Sequence, residues 1–330
     1  KDRRALTAAY QYLVLGTIGA TFILIGIGFM YMMTGTLNMA DLEVQLDSVK
    51  NTRTVITAFA FFSVGVSLKL ALFPLHLWLP NAYAYAPSVV TALLAATATK
   101  VSIYILLRFI FSIFGTDFAF ETMRLDAILL PLALIGIFVG STVAVFQNNI
   151  KRMLAYSTIS HVGFILMGFI AGTEDGIRAA MFYTLIYVLM AAAAFGMIIA
   201  LSRKGFEAEN LDDFKGLNAR SPWFASMMLM VMFSMAGVPP FVGFYAKLAV
   251  LSSVLDVGLV WLAVLGVIFT VIGAFYCIRI VWYMYFTAPK DTYELEVAND
   301  FRFILSANAL ALLVLGLFPG FLLDLCAIVL

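Results

Sequence analysis

The chain has 330 residues, of which 63% are hydrophobic and only 12% are charged, and its formal net charge is +1. A soluble domain has about 45–50% apolar and about 25% charged residues, so this composition excludes a separate soluble domain and predicts a polytopic helical membrane protein. The near-neutral charge, with no run of basic residues in the sequence, argues against a nucleic-acid surface.

Nine apolar segments of membrane-spanning length follow one another along the chain, separated by short polar links. They cover roughly 10–33, 54–75, 88–114, 127–146, 153–172, 178–201, 222–255, 258–286 and 303–326. We therefore expect an all-α polytopic membrane protein of about nine transmembrane helices, of which the second and seventh are discontinuous.

The basic residues predict the orientation of these spans. If the first span starts in the cytoplasm, the inner loops contain Lys1, Arg3, Arg4, Lys151, Arg152, Arg203, Lys204, Lys215, Arg220, Lys290 and Arg302. The outer loops contain only Lys50, Arg53, Arg124 and Arg178. This asymmetry agrees with the positive-inside rule, which counts Lys and Arg and ignores acidic residues.

The second span contains a lysine beside a helix-breaking proline. It reads SLKLALFPLHLWLP, with Lys69 before the break at Pro74 and His76 just after it. A charge at the bilayer centre costs about 2.5–3.5 kcal/mol on insertion scales, so Lys69 predicts a hydrated or paired internal environment. Proline frees helical carbonyls, which are tolerated at membrane depth only where they face protein or water. His76 is either a proton relay or a cap for these carbonyls.

The seventh span repeats this combination in reverse order. In MAGVPPFVGFYAKL the break at Pro239 and Pro240 comes first and Lys247 follows. On the predicted topology the two broken spans also enter from opposite sides, the pattern that inverted-topology repeats produce. We expect one transmembrane domain over 1–330, with repeats at 1–114 and 127–286 and a terminal helix at 303–326. The alternative is a pair of kinked helices whose lysines snorkel to the interface.

Two further polar residues lie inside apolar spans. Lys100 lies near mid-depth of the third span behind a run of small residues, which favours a proton relay over a structural ion pair. His161 in the fifth span could carry protons at physiological pH, although a lone histidine on an apolar helix is more often a satisfied core residue. Nearby hydroxyl side chains fit either a hydrated entry or helix packing: Tyr156, Ser157, Thr158 and Ser160.

Other residues limit the chemistry. Arg279 is buried deeper in the eighth span than snorkelling favours, and the sequence leaves relay and structural roles open. No Asp or Glu lies in the interior of a span, although a lysine path needs a counter-charge that sets protonation. Cys277 and Cys326 lie far apart in apolar segments, which favours buried side chains over a metal or iron–sulfur site. The sequence has no nucleotide-binding glycine fingerprint.

These residues resemble those of the antiporter-like proton-channel subunits shared by respiratory complex I, Mrp-type cation/proton antiporters and membrane-bound hydrogenases. LKLALFPLHLWLPNAYAYAPSVVTALLAATATK is similar to the family's signature at its first broken helix, and AGVPPFVGFYAK to the second. The resemblance implies an inverted-repeat fold in which Lys69, Lys100, Lys247 and His161 form a proton path. It also implies that the nine spans correspond to helices six to fourteen of the family. The glutamate that pairs with the first lysine would then lie upstream of Lys1 or on another subunit.

The two ends of the chain resemble different branches of the family. Residues up to about 155 resemble the D-type subunit of Mrp-type antiporters, and later residues resemble subunit N of bacterial complex I. The sixth span carries Tyr183, Thr184 and Tyr187 where the Mrp branch has charged or histidine side chains. Proton connection through Tyr183 and Tyr187 would therefore depend on hydroxyls or water.

Three functions follow from this resemblance. The first is a proton-translocating membrane subunit of a complex I-type NADH:quinone oxidoreductase, whose FMN, iron–sulfur clusters and quinone site lie on partner subunits. The second is a subunit of a Na⁺ or K⁺/H⁺ antiporter, and the third is a non-conducting structural membrane subunit. In each case we expect a multi-pass protein of the bacterial cytoplasmic membrane that contacts lipid and other membrane subunits, with no cofactor or metal of its own.

Overall fold

A computed structural model describes residues 3–203, 205–289, 295 and 297–328, and over these residues it is helical, with only two isolated β-bridges. The predicted all-α membrane fold is confirmed, since eight helices in these ranges are long and apolar enough to cross a membrane. Lys1, Lys204 and Lys290, which belong to the predicted inner loops, lie outside these ranges.

The first part of the chain contains one unbroken span, one broken span and one span with π-helical insertions. Its helices are α1 (Arg3–Thr34), α2 (Met39–Leu46), α3 (Arg53–Leu70), α4 (Trp78–Tyr85), α5 (Ser88–Leu93) and α6 (Thr99–Arg108). π-Helical segments at Leu94–Ala98 and Phe109–Phe114 make α5 and α6 parts of one span, Ser88–Phe114, and a third lies at Asp117–Thr122.

The second part of the chain contains the buried centre of the fold and the second broken span. Its helices are α7 (Leu125–Val145), α8 (Ile150–Ile170), α9 (Glu174–Leu201), α10 (Leu217–Arg220), α11 (Pro222–Ala236), α12 (Val242–Asp256), α13 (Val260–Phe286), α14 (Asn299–Leu317) and α15 (Gly320–Ile328), with a 3₁₀ turn at Leu211–Phe214. The helix expected at 303–326 is divided between α14 and α15, because Pro319 lacks the N–H that a continuous helix needs.

Both predicted breaks are present. α3 ends at Leu70, and Ala71 after it adopts a left-handed conformation with φ 58°. α11 ends in the same way, with Gly237 at φ 84° donating its N–H to the carbonyls of Phe233 and Ser234. A left-handed residue after the last turn stops the helix and leaves other terminal carbonyls free for outside donors.

The core lies around α8 and α9. Nearly all residues of α8 are buried and most of α9 is, whereas α1, α13 and α14 expose much of their apolar surface. α7 packs closely on α8, because Gly140 lets the backbone of Ser160 approach it: a Cβ there would be 2.7 Å from the Ser160 nitrogen. Such small residues are typical of helix contacts in membranes. Polar residues on α8 and α9 are therefore inside the protein rather than against lipid.

An ion-pair cluster at one end of α8 joins three segments that are distant in sequence. Lys151 is fully buried, and its ammonium lies 2.7 Å from Glu207 and 2.8 Å from Glu209 in the loop after α9. It also donates to the carbonyl of Ala86, which precedes α5, at 3.0 Å. The hydroxyl of Ser88 donates to Glu207 at 2.8 Å. The positive-inside rule predicts that this end faces the cytoplasm.

Candidate proton path

The second broken span places Lys247 inside the protein, against the C-terminus of α11. Its side chain is 6% exposed, and its ammonium donates to the carbonyls of Met235 at 3.0 Å and Ala236 at 2.9 Å. These carbonyls lack helical partners because α11 stops there, and the helix terminus carries partial negative charge that favours a cation. The predicted break thus supplies two acceptors to the lysine, while no acidic side chain among the described residues contacts it.

Lys100 is buried beside a π-helical turn. It is 3% exposed, and its ammonium donates to the carbonyl of Ala95, five residues earlier. The same ammonium lies over the ring of Tyr187 on α9, 4.0 Å from the ring centroid, in a cation–π contact. π-Helical turns are frequent at functional sites. Among the described residues no carboxylate contacts the Lys100 ammonium.

His161 connects to the same tyrosine. Its Nδ1 lies 2.7 Å from the hydroxyl of Tyr183, and its ring stacks on Tyr187 with centroids 4.4 Å apart. The Tyr187 hydroxyl donates to Thr158 at 2.9 Å. The other ring nitrogen, Nε2, is buried without a hydrogen-bond partner among the described residues. Tyr187 therefore contacts both Lys100 and His161, and Tyr183 extends the group.

An aromatic ring separates this group from the second broken span. Phe164 on α8 lies with its ring centroid 5.6 Å from the Lys247 ammonium and 6.5 Å from the centroid of Tyr183. We call the set Lys100, Tyr187, His161, Tyr183 and Lys247 the central row. It brings together five of the residues that the sequence singled out.

Lys69 lies apart from the central row. It is half-buried in the last turn of α3 and lines a cavity of about 410 Å³ together with Tyr12, Trp78 and Ser102. No hydrogen bond or ion pair of its ammonium is present among the described residues. The carbonyl of Leu68 accepts instead from the backbone N–H of Ala71 at 3.2 Å and from the indole N–H of Trp78 at 3.0 Å. The predicted lysine and break are thus present, but they do not bind each other.

His76 is buried at the same break and stacks on Phe73, with ring centroids 5.2 Å apart. Its Nδ1 is buried and has no hydrogen-bond partner among the described residues. Neither predicted role, relay or cap, has a supporting hydrogen bond of the imidazole over the described ranges.

Arg279 belongs to α13, and its guanidinium contacts the turn between α7 and α8. Its guanidinium donates to the carbonyl of Val145 at 2.9 Å, to that of Gln147 at 3.2 Å, and to the side-chain oxygen of Asn148 at 2.8 Å. These contacts cap the C-terminus of α7, where a cation is favourable. An arginine stays protonated under all ordinary conditions, so this geometry favours the structural role over a relay.

Sequence reasoning missed two hydroxyl partners of α8. Ser157 pairs with Tyr276 of α13 at 2.8 Å, and Ser160 pairs with Ser141 of α7 at 2.8 Å, all of them buried. Ser141 stands out in the sequence as a polar residue in an apolar span. Tyr276 does not, because aromatic residues are common throughout α13.

Comparison with known proteins indicates one family. The family model described as NADH:quinone oxidoreductase/Mrp antiporter, TM matches residues 1–273. Subunit N of the NADH-quinone oxidoreductase of Thioalkalivibrio sulfidiphilus is 49% identical over 326 residues, which is 98% of this chain and 67% of the relative. The chain thus spans about two thirds of the length of the curated relatives that it matches.

Two solved structures share the fold. Respiratory complex I from Thermus thermophilus matches with a TM-score of 0.81 and 27% identity, over 98% of this chain and 69% of that one. The Mrp complex from Dietzia sp. matches with a TM-score of 0.84 and 26% identity, over 98% of this chain and 67% of that one. The fold is therefore similar in both kinds of assembly.

Proposed function

The chain belongs to the NADH:quinone oxidoreductase/Mrp antiporter transmembrane family, and we propose that it is a proton-translocating membrane subunit of a complex I-type NADH:quinone oxidoreductase. The observation that carries this proposal is the central row of two buried lysines, a histidine and two tyrosines. Ionisable residues inside a membrane are costly, and they mark ion or proton pathways when they face the interior of the protein.

The geometry of the row suits proton transfer in steps. The imidazole of His161 and the hydroxyl of Tyr183 are already hydrogen-bonded, so a proton can pass between them directly. Lys100 contacts the ring of Tyr187, and Phe164 separates Tyr183 from Lys247, so water would have to bridge these two steps. The protonation of a buried amine responds to nearby charge. Charge movement in a partner subunit would therefore drive uptake and release.

Lys69 is proposed to belong to the same path, in the first of two inverted repeats. Its half-buried ammonium borders a cavity large enough to hold water or a side chain from elsewhere in the assembly. The reversed order of lysine and break at Lys69 and Lys247 supports the repeats at 1–114 and 127–286.

The match to subunit N favours complex I over an antiporter. It extends over 98% of the chain, and so includes the first 155 residues, which resemble the D-type subunit of the antiporters. We place FMN, iron–sulfur clusters and quinone on partner subunits. The alternative of a Na⁺ or K⁺/H⁺ antiporter subunit is supported by the similar fold of the Dietzia complex. A non-conducting structural subunit is the third possibility, motivated by the absence of an acidic partner for Lys69 among the described residues.

The test starts from the full-length protein, tagged in its host and purified gently with its partners. We expect inhibitor-sensitive NADH:quinone reduction to copurify with the tag, and reconstituted vesicles to acidify when NADH is added. A complex without redox activity that exchanges Na⁺ for H⁺ would move the chain to the antiporter branch. Wild-type proton flux in both Lys100→Ala and Lys247→Ala would exclude conduction by this chain.

A further inference from the structure

We propose that Tyr276 and Ser157 form a second proton-conducting branch, which joins the central row to the membrane face where Arg279 lies. The inference rests on the proposed function, because it extends the same path. It assigns a role to α13, which contributes no residue to the central row, and to the hydroxyls on α8 that the sequence left undecided.

The branch starts at two consecutive residues of α8. Thr158 accepts a hydrogen bond from Tyr187 of the central row, and Ser157 beside it pairs with Tyr276 at 2.8 Å. Two neighbouring positions of one helix therefore carry hydroxyls that bond to α9 at Thr158 and to α13 at Ser157.

A second hydroxyl pair lies beside the first, around a glycine. A Cβ placed on Gly273 of α13 would lie 3.8 Å from the Ser141 oxygen and 3.9 Å from the Tyr276 oxygen. Ser141 is itself paired with Ser160 at 2.8 Å. One oxygen of each pair, that of Ser141 and that of Tyr276, thus lies beside Gly273 where α7, α8 and α13 meet.

Close packing of α7, α8 and α13 does not require these hydroxyl groups. A buried hydroxyl costs free energy unless it is hydrogen-bonded, and alanine and phenylalanine of similar shape would fill an apolar interface without that requirement. In both pairs, Ser157 with Tyr276 and Ser141 with Ser160, either oxygen can be the donor. Each pair can therefore reverse the direction of its hydrogen bond, which is a property that proton conduction needs.

The branch points toward one face of the membrane. Arg279 follows Tyr276 by three residues, or about 4.5 Å along the axis of α13. Its half-buried guanidinium is held at the turn that joins α7 to α8, by Val145, Gln147 and Asn148. The positive-inside rule predicts that this turn faces the cytoplasm. The branch is thus a route for proton uptake from that side. Arg279 positions the turn at its entrance.

The test removes one hydroxyl at a time from the assembled complex. Tyr276→Phe and Ser157→Ala are compared with Tyr285→Phe, a control on the same helix whose hydroxyl has no hydrogen bond with the described residues. Proteoliposomes containing each purified complex are assayed for NADH-driven proton uptake in H₂O and D₂O. We expect a decrease of about threefold or more in both variants and a larger H₂O/D₂O rate ratio, because proton transfer then limits the rate. The double variant is expected to be no slower than the slower single variant, and Tyr285→Phe to match the wild type.

Three outcomes would overturn the branch. Tyr276→Phe and Ser157→Ala complexes that translocate protons at the wild-type rate, while Lys100→Ala does not, would remove the branch and leave the proposed function. Variants that assemble poorly but have an unchanged rate and isotope ratio per complex would show a purely structural pair. If Lys100→Ala and Lys247→Ala also pump normally, the proposed function itself fails, and the branch fails with it.

Discussion

The two broken helices use the same elements, a lysine and a proline break, but the order of these elements gives each lysine a different environment. Lys247 follows its break and reaches back to the free carbonyls at the end of α11, which hold its ammonium with two hydrogen bonds. Lys69 precedes its break, and the carbonyl of Leu68 there accepts from the N–H of Ala71 and from the indole of Trp78 instead. One lysine is therefore fixed by the backbone, while the other faces a cavity. A break creates acceptors on its N-terminal side, so a lysine on its C-terminal side can bind them.

The largest expected effect comes from removing Lys247. Lys247→Ala deletes a member of the central row and leaves two buried carbonyls without their donor, which costs about 1–3 kcal/mol for each unsatisfied group. We expect proton translocation to fall by about tenfold or more and the melting temperature of the complex to fall with it. Lys69→Ala should lower translocation without lowering the melting temperature, because no described carbonyl depends on it.

Thermal unfolding and vesicle acidification of both variants check this difference, with Lys50→Ala, a change in a polar loop, as the control. Equal losses of thermal stability in Lys69→Ala and Lys247→Ala would contradict the distinction between the two breaks.

A charge-preserving change at the same position should have a smaller effect. Lys247→Arg keeps the cation and its donors, so the complex should retain most of its thermal stability. Arginine gives up its proton far less readily than lysine, so we expect translocation to fall severalfold rather than to stop. Steady-state proton flux at saturating NADH measures this, and full wild-type turnover would count against a lysine that releases its proton.

Trp78→Phe tests the first break, and its expected effect is smaller than that of the Lys247 substitutions. The substitution removes the indole donor, which leaves the N–H of Ala71 as the remaining donor to the carbonyl of Leu68 and makes room for Lys69 as a second one. We expect a loss of stability of about 0.5–1.5 kcal/mol, the usual net contribution of one hydrogen bond. If Lys69 takes over the carbonyl, Lys69→Ala should become destabilising in this background, although it is neutral in the wild type. A double-mutant cycle by thermal unfolding measures the coupling.

The sequence was sufficient for the family, the multi-pass membrane character and both breaks, and these predictions are confirmed. These features depend on local signals, such as apolar length, proline and a lysine in an apolar run. The roles of Arg279 and Tyr276 were not accessible, because their partners lie more than 100 residues away in the chain. His161 shows the same limit: its spacing could not reveal that Tyr183 and Tyr187 on another helix would enclose it. Helix packing decides which polar residues meet, and one sequence does not contain that information.

The smallest expected effect concerns the loop after α9, in which Glu207 binds Lys151 of α8 and Ser88 at the start of α5. Burial alone would raise the pKa of the Glu207 carboxyl, but hydrogen bonds from Lys151 and Ser88 outweigh it and lower that pKa below its ordinary value of 4.5. The stability from this carboxylate is therefore fully present above the ordinary value and is lost as the pH falls through the lowered pKa. Glu207→Gln should lower the melting temperature slightly at pH 7, because Glu209 still pairs with Lys151. The difference from the wild type should shrink in acid. Thermal unfolding of both proteins between pH 7 and the lowest pH that the complex survives would measure it. A difference that grows in acid would mean that Ala86 and Ser88, at the start of α5, are not held through this carboxylate.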